Sequence, residues 1–151
     1  LAPVLFGFVE FTETEAGRLL MDLPRKEFEL EYRLPAMEYQ VCADKGKMEQ
    51  VLDNLIGNAR KHVSPGGILR ITLEKEEGFL RFVVYNEGDC IREEDLPRVW
   101  DKFYRVGGRS TEGAGLGLAI AAGILELHGW EYGVRNRENG VEFYFFAPIG
   151  D

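Results

Sequence analysis

Between residues 45 and 62 the apolar side chains recur every three or four positions, which is the spacing of one face of an α-helix. The stripe consists of Met48, Val51, Leu52, Leu55, Ile56 and Ala59. Asp44 is the predicted N-cap of this helix, and the turn residues Ser64-Pro65-Gly66-Gly67 end it. A continuous apolar stripe has to be covered, so this face is predicted to belong to the core.

Alternating apolar and polar residues predict strands on both sides of this helix. The predicted strands are 28–34 and 39–42, joined by a short turn, a hairpin of 68–73 and 79–85, and two closing strands near 130–136 and 141–147. Helices are predicted over about 4–21 and 114–128, with short helical pieces in 93–104 and a mobile loop over 106–113. This order predicts an α/β (α+β) two-layer sandwich, in which a mixed, mostly antiparallel sheet is covered on one face by helices.

The composition limits the classes of function. A chain of 151 residues is one domain by length, and its net charge of −8 argues against a nucleic-acid surface. No apolar run reaches the length of a membrane span, and the start does not resemble a signal peptide. Cys42 and Cys90 have no partners at metal-ligand spacing, so we expect neither zinc nor a disulfide framework. A monomeric domain in the reducing cytoplasm is the resulting prediction.

A glycine-rich turn runs directly into the last predicted helix. Gly113, Gly115 and Gly117 allow the main chain to approach an anion closely, and the first N–H groups of the helix would point at it. The Lys-Ser/Thr pair of a P-loop is absent from this segment, and Leu118 replaces the third glycine of a dinucleotide-binding fingerprint. The turn therefore predicts phosphate binding, with a plain close-packing turn as the alternative reading.

Three polar side chains share one flank of the long helix. Asn54, Asn58 and Lys61 stand at positions i, i+4 and i+7, at the edge of the apolar stripe. An asparagine oxygen suits Mg²⁺, which takes its remaining ligands from water and from substrate phosphates. The flank predicts a wall of a cleft, and two solvated amides on an exposed helix are the alternative.

Four segments now agree in order and spacing, and they carry a resemblance that covers the chain from about Glu29 onward. The segments are 50–62, 86–91, 100–105 and 113–118, similar to an N box, a first glycine box, an F box and a second glycine box. Together they resemble the ATP-binding catalytic domain of sensor histidine kinases, in the superfamily that also contains gyrase, Hsp90 and MutL. The resemblance implies a Bergerat-type ATP-binding fold with ATP and Mg²⁺ as ligands.

The resemblance also implies roles for individual residues. Asn58 would coordinate Mg²⁺, Asn54 would face the phosphates, and Lys61 and Arg105 would supply positive charge to the transferred group. The implied nucleotide-binding set is Asn54, Asn58, Lys61, His62, Asn86, Gly88, Cys90, Ile91, Tyr104, Arg105, Gly113, Gly115, Leu116, Gly117 and Leu118, with Asn54, Lys61 and Arg105 as its catalytic members.

Four positions depart from the family pattern at the base end of the site. His62 stands in place of an aromatic Tyr or Phe, Asn86 in place of Asp, Cys90 in place of Gly, and Val141 in place of Thr. These departures predict an adenine pocket that is weaker or less selective than is typical. Trp100, Phe103 and Tyr104 are interpreted as an apolar anchor, and His128 as a structural residue.

The reaction is predicted from one substitution. In gyrase, Hsp90 and MutL a Glu one turn before the Mg²⁺-binding Asn activates water, and here that position is Asn54, which cannot take a proton. Delivery of the γ-phosphoryl group to a His on a separate dimerisation domain is therefore favoured over hydrolysis. A serine kinase of the anti-sigma type is one alternative, although that class usually has Glu at this position and lacks the F box. A degenerate nucleotide-binding or partner-binding module is the other.

The predicted division of the chain follows from the same resemblance. Residues 27–151 are expected to be the catalytic ATP-binding domain, and 1–26 its helical junction with the dimerisation domain, because no segment before Asp44 resembles the box around the phosphoacceptor His. That domain would in turn serve a response regulator, and the parent protein could be anchored to a membrane.

Overall fold

The computed structural model of the protein describes residues 1–21, 27–102, 104 and 116–150. Its elements are β1 (Val4–Gly7), α1 (Phe8–Leu20), β2 (Glu29–Arg33), β3 (Gln40–Ala43), α2 (Lys45–His62), β4 (Ile68–Glu76), β5 (Phe79–Glu87), a short 3₁₀ helix (Glu93–Arg98), α3 (Gly117–His128), β6 (Tyr132–Arg137) and β7 (Gly140–Pro148).

The main sheet has five strands in the order β2-β4-β5-β7-β6, and only the β2–β4 pair is parallel. Along β5 the buried residues Leu80, Phe82 and Val84 share one face, and α2 contacts this strand. β1 and β3 form a separate two-stranded sheet. The predicted mixed, mostly antiparallel sheet with a helical layer is confirmed.

α2 is the central helix of that layer. All six residues of its predicted apolar stripe are fully buried. The Asp44 carboxylate caps its start, accepting hydrogen bonds from the main-chain N–H of Ala2 at 3.0 Å and of Lys47 at 3.1 Å. These two hydrogen bonds lower the pKa of the Asp44 carboxyl group, and the bond from Ala2 has the larger effect. The periodicity thus located both the helix and its cap.

The N-terminal segment departs from the single helix predicted over 4–21. Val4–Gly7 is a strand that pairs antiparallel with β3, and the helix begins only at Phe8. Glu38 fixes this start from a distance, because its carboxylate accepts hydrogen bonds from the main-chain N–H of Val9 at 2.6 Å and of Glu10 at 2.9 Å. Both contacts are made with residues that are far away in sequence, so local periodicity did not reveal them.

The two strands predicted at 28–34 and 39–42 exist, but they are not paired with each other. β2 joins the main sheet beside β4, where Leu30 lies opposite Leu69 and packs against the core. β3 turns away and pairs with β1, with Val41 opposite Phe6. The correction has a physical reason, since each strand buries apolar side chains in its observed position that a local hairpin would not bury.

α2 and α3 are joined at one end by His128. The main-chain N–H of Asp44 donates to His128 Nε2 at 3.1 Å. Nδ1 therefore carries the ring hydrogen, and it lies 2.9 Å from the main-chain oxygen of Ile124, to which it donates. The last turn of α3 is thus fixed to the first turn of α2. α3 is described from Gly117, while residues 114 and 115 and the predicted mobile loop 106–113 lie outside the described residues.

Candidate functional site

The polar flank of α2 connects two ends of the candidate site. Asn54 and Asn58 are half-buried, while Lys61 and His62 are exposed nearer the end of the helix. Eight residues separate Asn54 from His62, which corresponds to about 12 Å of helix at 1.5 Å per residue. This length is comparable with the reach of an extended nucleoside triphosphate from its base to its terminal phosphate.

At the Asn54 end the flank meets the start of α3. A Cβ atom on Gly117 would lie 3.2 Å from Asn54 Oδ1, so the main chain of α3 approaches this amide closely because the residue is glycine. Leu116 occupies the N-cap position, and its side chain makes no capping hydrogen bond. The N–H groups of the first turn, which includes Leu118, are therefore available to an anion beside Asn54.

At the His62 end the flank meets the loop that follows β5. Gly88 has a φ of 155°, and a Cβ atom there would lie 2.7 Å from the main-chain oxygen of His62. Ser64 N–H donates to the main-chain oxygen of Glu87 at 2.8 Å, which further fastens the end of α2 to the end of β5. The predicted N box and first glycine box are thus in direct contact.

Asn86 is the buried polar residue of this end. It is 2% exposed and lies on the same face of β5 as Phe82 and Val84, so its amide faces the helical layer. Val141 lies opposite it on β7 and is also buried. An amide in this position has both a hydrogen-bond donor and an acceptor to offer to a base.

The departure at Cys90 is directed away from α2. The thiol donates to the main-chain oxygen of Arg137 at 3.3 Å, and the main-chain oxygen of Gly140 lies 3.6 Å away. The Cys90 side chain therefore does not project toward α2. The predicted narrowing of the adenine pocket is limited to the main chain around residue 90. Ile91, the next residue, is half-buried, and its main chain is bonded to the side chain of Asn136 on β6.

The ring of His62 favours its neutral form. Although part of the ring is exposed, surrounding protein atoms desolvate it, and this effect, followed by the positive charge of Lys61, lowers the pKa of the imidazole. A neutral ring lacks the hydration of an imidazolium, which suits stacking on a base.

Trp100, the first residue of the predicted F box, packs against β6 and β7. The Trp100 ring lies edge-on to Tyr132 at 4.9 Å and to Phe143 at 5.3 Å, which agrees with its interpretation as an anchor. Tyr104 is half-buried, and burial followed by the charge of Asp95 raises the pKa of its hydroxyl. Burial and the hydrogen bond to Glu126 raise the pKa of Tyr132 to about 12.

Some predicted site residues lie outside the described part of the chain. These are Arg105, Gly113 and Gly115, together with Phe103 of the anchor. In the other direction, sequence reasoning missed Asn136, although asparagine is uncommon in strands and that was a usable signal.

The residues present suit Mg²⁺ held mainly by a nucleotide. Within residues 1–21, 27–102, 104 and 116–150 there is no cluster of three His, Cys, Asp or Glu side chains that could hold a metal alone. Mg²⁺ commonly keeps several waters and takes one or two protein oxygens plus substrate phosphates, and the amide oxygen of Asn58 fits such a set.

A groove of about 400 Å³ lies on the opposite face of the sheet. Arg70 and Tyr85 are among its lining residues, but Arg70 is already paired with Glu31 at 2.8 Å and stacked over the Tyr85 ring at 5.1 Å. It is remote from the asparagine flank of α2, so we do not assign a nucleotide to this groove.

The chain belongs to the family described as the histidine kinase-, DNA gyrase B- and HSP90-like ATPases, whose model matches residues 43–151. It is an ATP-binding domain of this family, and within the family it is similar to sensor histidine kinases. Sensor histidine kinase WalK of Bacillus subtilis is 36% identical over 128 residues, which cover 78% of this chain and 21% of WalK.

Solved structures support the same assignment. The catalytic domain of histidine kinase ThkA superposes with a TM-score of 0.86 at 29% identity, with 98% of each chain covered. ThkA in complex with response regulator TrrA gives 0.84 at 28% identity, covering 98% of this chain and 42% of that one. Full-length ShkA in complex with AMPPNP gives 0.85 at 27% identity, covering 99% of this chain and 32% of that one.

The chain corresponds to one part of these longer proteins. It spans between 14% and 25% of the length of WalK and seven other curated relatives. Among the described residues, no helix has the length and apolar character needed to cross a membrane.

Proposed function

We propose that this domain binds Mg²⁺-ATP along α2, with the phosphates near Asn54 and the base near His62, and donates the γ-phosphoryl group to a His side chain on a separate dimerisation domain. The observation that carries this proposal is the contact of Asn54 with Gly117 at the start of α3. The residue that lies beside the N–H groups of this helix start, where phosphate could bind, is thus an amide that cannot act as a general base.

The assigned roles follow the two ends of the flank. Asn58, one turn from Asn54, would hold Mg²⁺, which neutralises charge on the phosphates when it is bound; Arg105, and Lys61 from the His62 end of the flank, would add positive charge to the phosphates. At the base end Asn86 would bond the adenine edge and His62 would stack on its face. Gly113 and Gly115 are proposed to continue the phosphate cradle that Gly117 begins.

Transfer is favoured over hydrolysis by the acid–base chemistry of α2. Hydrolysis needs a group that takes a proton from water, and the Asn54 amide cannot act as such a base. Asp53, next to it, lies 2.6 Å from Arg18 of α1, so its carboxylate is engaged on another flank of the helix. In the proposed transfer the bond from the β,γ-bridging oxygen to the γ-phosphorus breaks, a bond to an imidazole nitrogen forms, and ADP leaves.

The proposed partners come from the relatives. Residues 27–151 would form the catalytic domain and 1–26 its junction, which also contributes β1 to the folded unit. Ile120 of α3 is 45% exposed, close to the proposed phosphate end, and offers an apolar contact for the dimerisation domain. A response regulator would then receive the phosphoryl group from that domain, in keeping with the TrrA complex of ThkA. The parent protein would be cytoplasmic in this part of its chain.

The test is calorimetric titration of the domain with ATP and ADP, with and without Mg²⁺, in parallel with Asn58→Ala and Asn86→Ala. Asn58→Ala is expected to abolish the Mg²⁺-dependent part of the affinity while the fold is retained, because it removes the proposed ligand oxygen. Asn86→Ala is expected to weaken ATP and ADP by the same factor, because it acts at the base.

Gln50→Ala is the matched control, since it removes another amide from an exposed position of the same helix. Unchanged Mg²⁺ dependence in Asn58→Ala would refute the metal role, and an effect of Asn86→Ala on ATP alone would refute the placement of the base. A folded wild-type domain that binds no nucleotide would refute the proposal and favour a degenerate partner-binding module.

A further inference from the structure

The hairpin of β6 and β7 fastens a segment that we call the Asn86–Ile91 loop, which comprises the last two residues of β5 and the four residues that follow. The main-chain N–H of Gly88 donates to the main-chain oxygen of Asn139 at 2.9 Å, and the Cys90 thiol donates to that of Arg137 at 3.3 Å. At the far end of the loop, Ile91 N–H donates to Asn136 Oδ1 at 2.8 Å, and Asn136 Nδ2 donates back to the Ile91 oxygen at 2.6 Å. Both ends of the loop are therefore held by the same hairpin.

Asn136 differs from the other contacts in kind. Of the bonds just described, only those to Ile91 use a side chain of the hairpin, and the rest use main-chain oxygens that any residue would supply. A carboxamide has an acceptor and a donor side by side, which matches the N–H and C=O of a single residue. Asparagine is unfavourable in a strand, so its presence on β6 is explained by this pair of hydrogen bonds better than by the strand itself.

The loop conformation matters because the loop contributes main chain to the proposed site. Gly88 touches the end of α2 at His62, and Asn86 supplies the buried amide. If the hydrogen bonds at Ile91 were lost, the loop would have to become ordered when a base binds. The free energy needed for this ordering would weaken the binding.

We propose that Asn136 is a positioning residue for the base end of the nucleotide site, acting through the main chain of Ile91 and not by touching the nucleotide. This inference rests on the proposed function, which places the base between His62 and the Asn86–Ile91 loop. β6 would thus contribute to nucleotide affinity, although it lies outside all four sequence motifs.

The experiment measures Asn136→Ala by calorimetry with ATP, ADP and adenosine, and by hydrogen exchange of the Ile91 amide without nucleotide. Loss of two hydrogen bonds is expected to weaken all three ligands by about tenfold and by the same factor, leaving the ratio of ATP to ADP affinity unchanged. The Ile91 amide is expected to exchange faster even in the absence of nucleotide. Should Asn136→Ala fail to fold, Asn136→Ser keeps one polar group and is expected to show a smaller loss of the same kind.

Two controls separate positioning from general destabilisation. Glu138→Ala changes an exposed residue of the same turn and is expected to bind as wild type. Val134→Ala removes core contacts from the same strand, so it is expected to lower Tm without changing affinity well below Tm.

The outcomes distinguish this inference from the proposed function. Wild-type binding with equal binding by Asn136→Ala would overturn the role of Asn136 alone, as would a loss restricted to ATP. Absence of binding by the wild type would overturn both. An affinity loss in Val134→Ala as large as that in Asn136→Ala would also overturn the specific role, because it would show that any weakening of β6 suffices.

Discussion

Gly140→Ala tests the close approach of β7 to the main chain of β5 at Asn86. A Cβ atom on Gly140 would lie 3.0 Å from the Asn86 carbonyl carbon and closer still to its oxygen, and 2.9 Å from the Tyr85 ring. The Asn86 carbonyl belongs to the main chain of β5, paired with β7, so it cannot rotate away as a side chain would. β5 and β7 would have to separate locally at the residue that carries the buried amide.

The magnitude follows from two opposing effects. Forcing an extra methyl into a packed region costs about 1–3 kcal/mol or more, and the smaller entropy loss of Ala relative to Gly returns roughly 0.5–1 kcal/mol. We expect a net loss of about 0.5–2 kcal/mol, which for a domain of this size lowers Tm by about 1–8 °C. Differential scanning calorimetry without nucleotide measures this directly and does not depend on the proposed function.

Gly133→Ala is the matched control on the neighbouring strand. Its Cβ would meet the hydroxyl end of Tyr144, a half-buried side chain on the open face of the sheet, which can move aside. We expect its Tm to fall by less than that of Gly140→Ala. Equal stability of Gly140→Ala and wild type, or a larger loss in Gly133→Ala, would refute the argument that main-chain contact makes glycine necessary at residue 140.

Two further predictions concern α2. Gly57→Ala is expected to raise the free energy of unfolding by about 0.5–1 kcal/mol in urea titrations, because a Cβ there meets nothing within 4 Å and alanine is the better helix former; a loss of stability would contradict this reading of α2. Asp44→Ala is expected to destabilise the fold at pH 7, and the difference from wild type should shrink as the pH falls below the ordinary value of 3.8. The reason is that the folded pKa of this carboxyl is lowered, so its stabilisation is complete above the unfolded pKa and is lost on protonation. Asp44→Asn caps without a titrating charge, so the difference in stability between Asp44→Asn and Asp44→Ala should not change with pH in the same urea titrations.

The parts of the fold that the sequence revealed are those governed by neighbours in the chain. The α2 stripe and the Asp44 cap depend on residues within one or two turns, and the β4–β5 hairpin on its Glu77-Gly78 turn, where Glu77 adopts a φ of 52°. The β1–β3 pair was missed because β1 has four residues and its partner begins more than thirty positions later. Its alternation is too short to outweigh the helical pattern that follows.

The same distinction between local sequence patterns and tertiary contacts applies to the candidate site. The resemblance brought out Asn54, Gly88 and Gly117 as motif residues, but the contacts of Gly117 with Asn54 and of Gly88 with His62 are tertiary facts. Asn136 acts on a loop 45 residues away, so no local pattern could assign it a partner. The roles of Arg105, Gly113 and Gly115 stay predictions, since they lie outside the described residues.

The hydrogen bond from Asp44 to His128 holds the C-terminal end of α3 at a fixed point on α2. The last turn of α3 is tied to the start of α2, and its first residue, Gly117, lies close to the Asn54 amide of α2. Eleven residues separate the two points, about 16 Å of helix, so a tilt of roughly 5° about the tied end displaces the start of α3 by about 1.4 Å. That displacement is enough to make or break a hydrogen bond to phosphate. The proposed base end is formed by β5 and by the far end of α2, so under the proposed function a small tilt of α3 would change its distance to the phosphates and leave the contacts with the base unchanged.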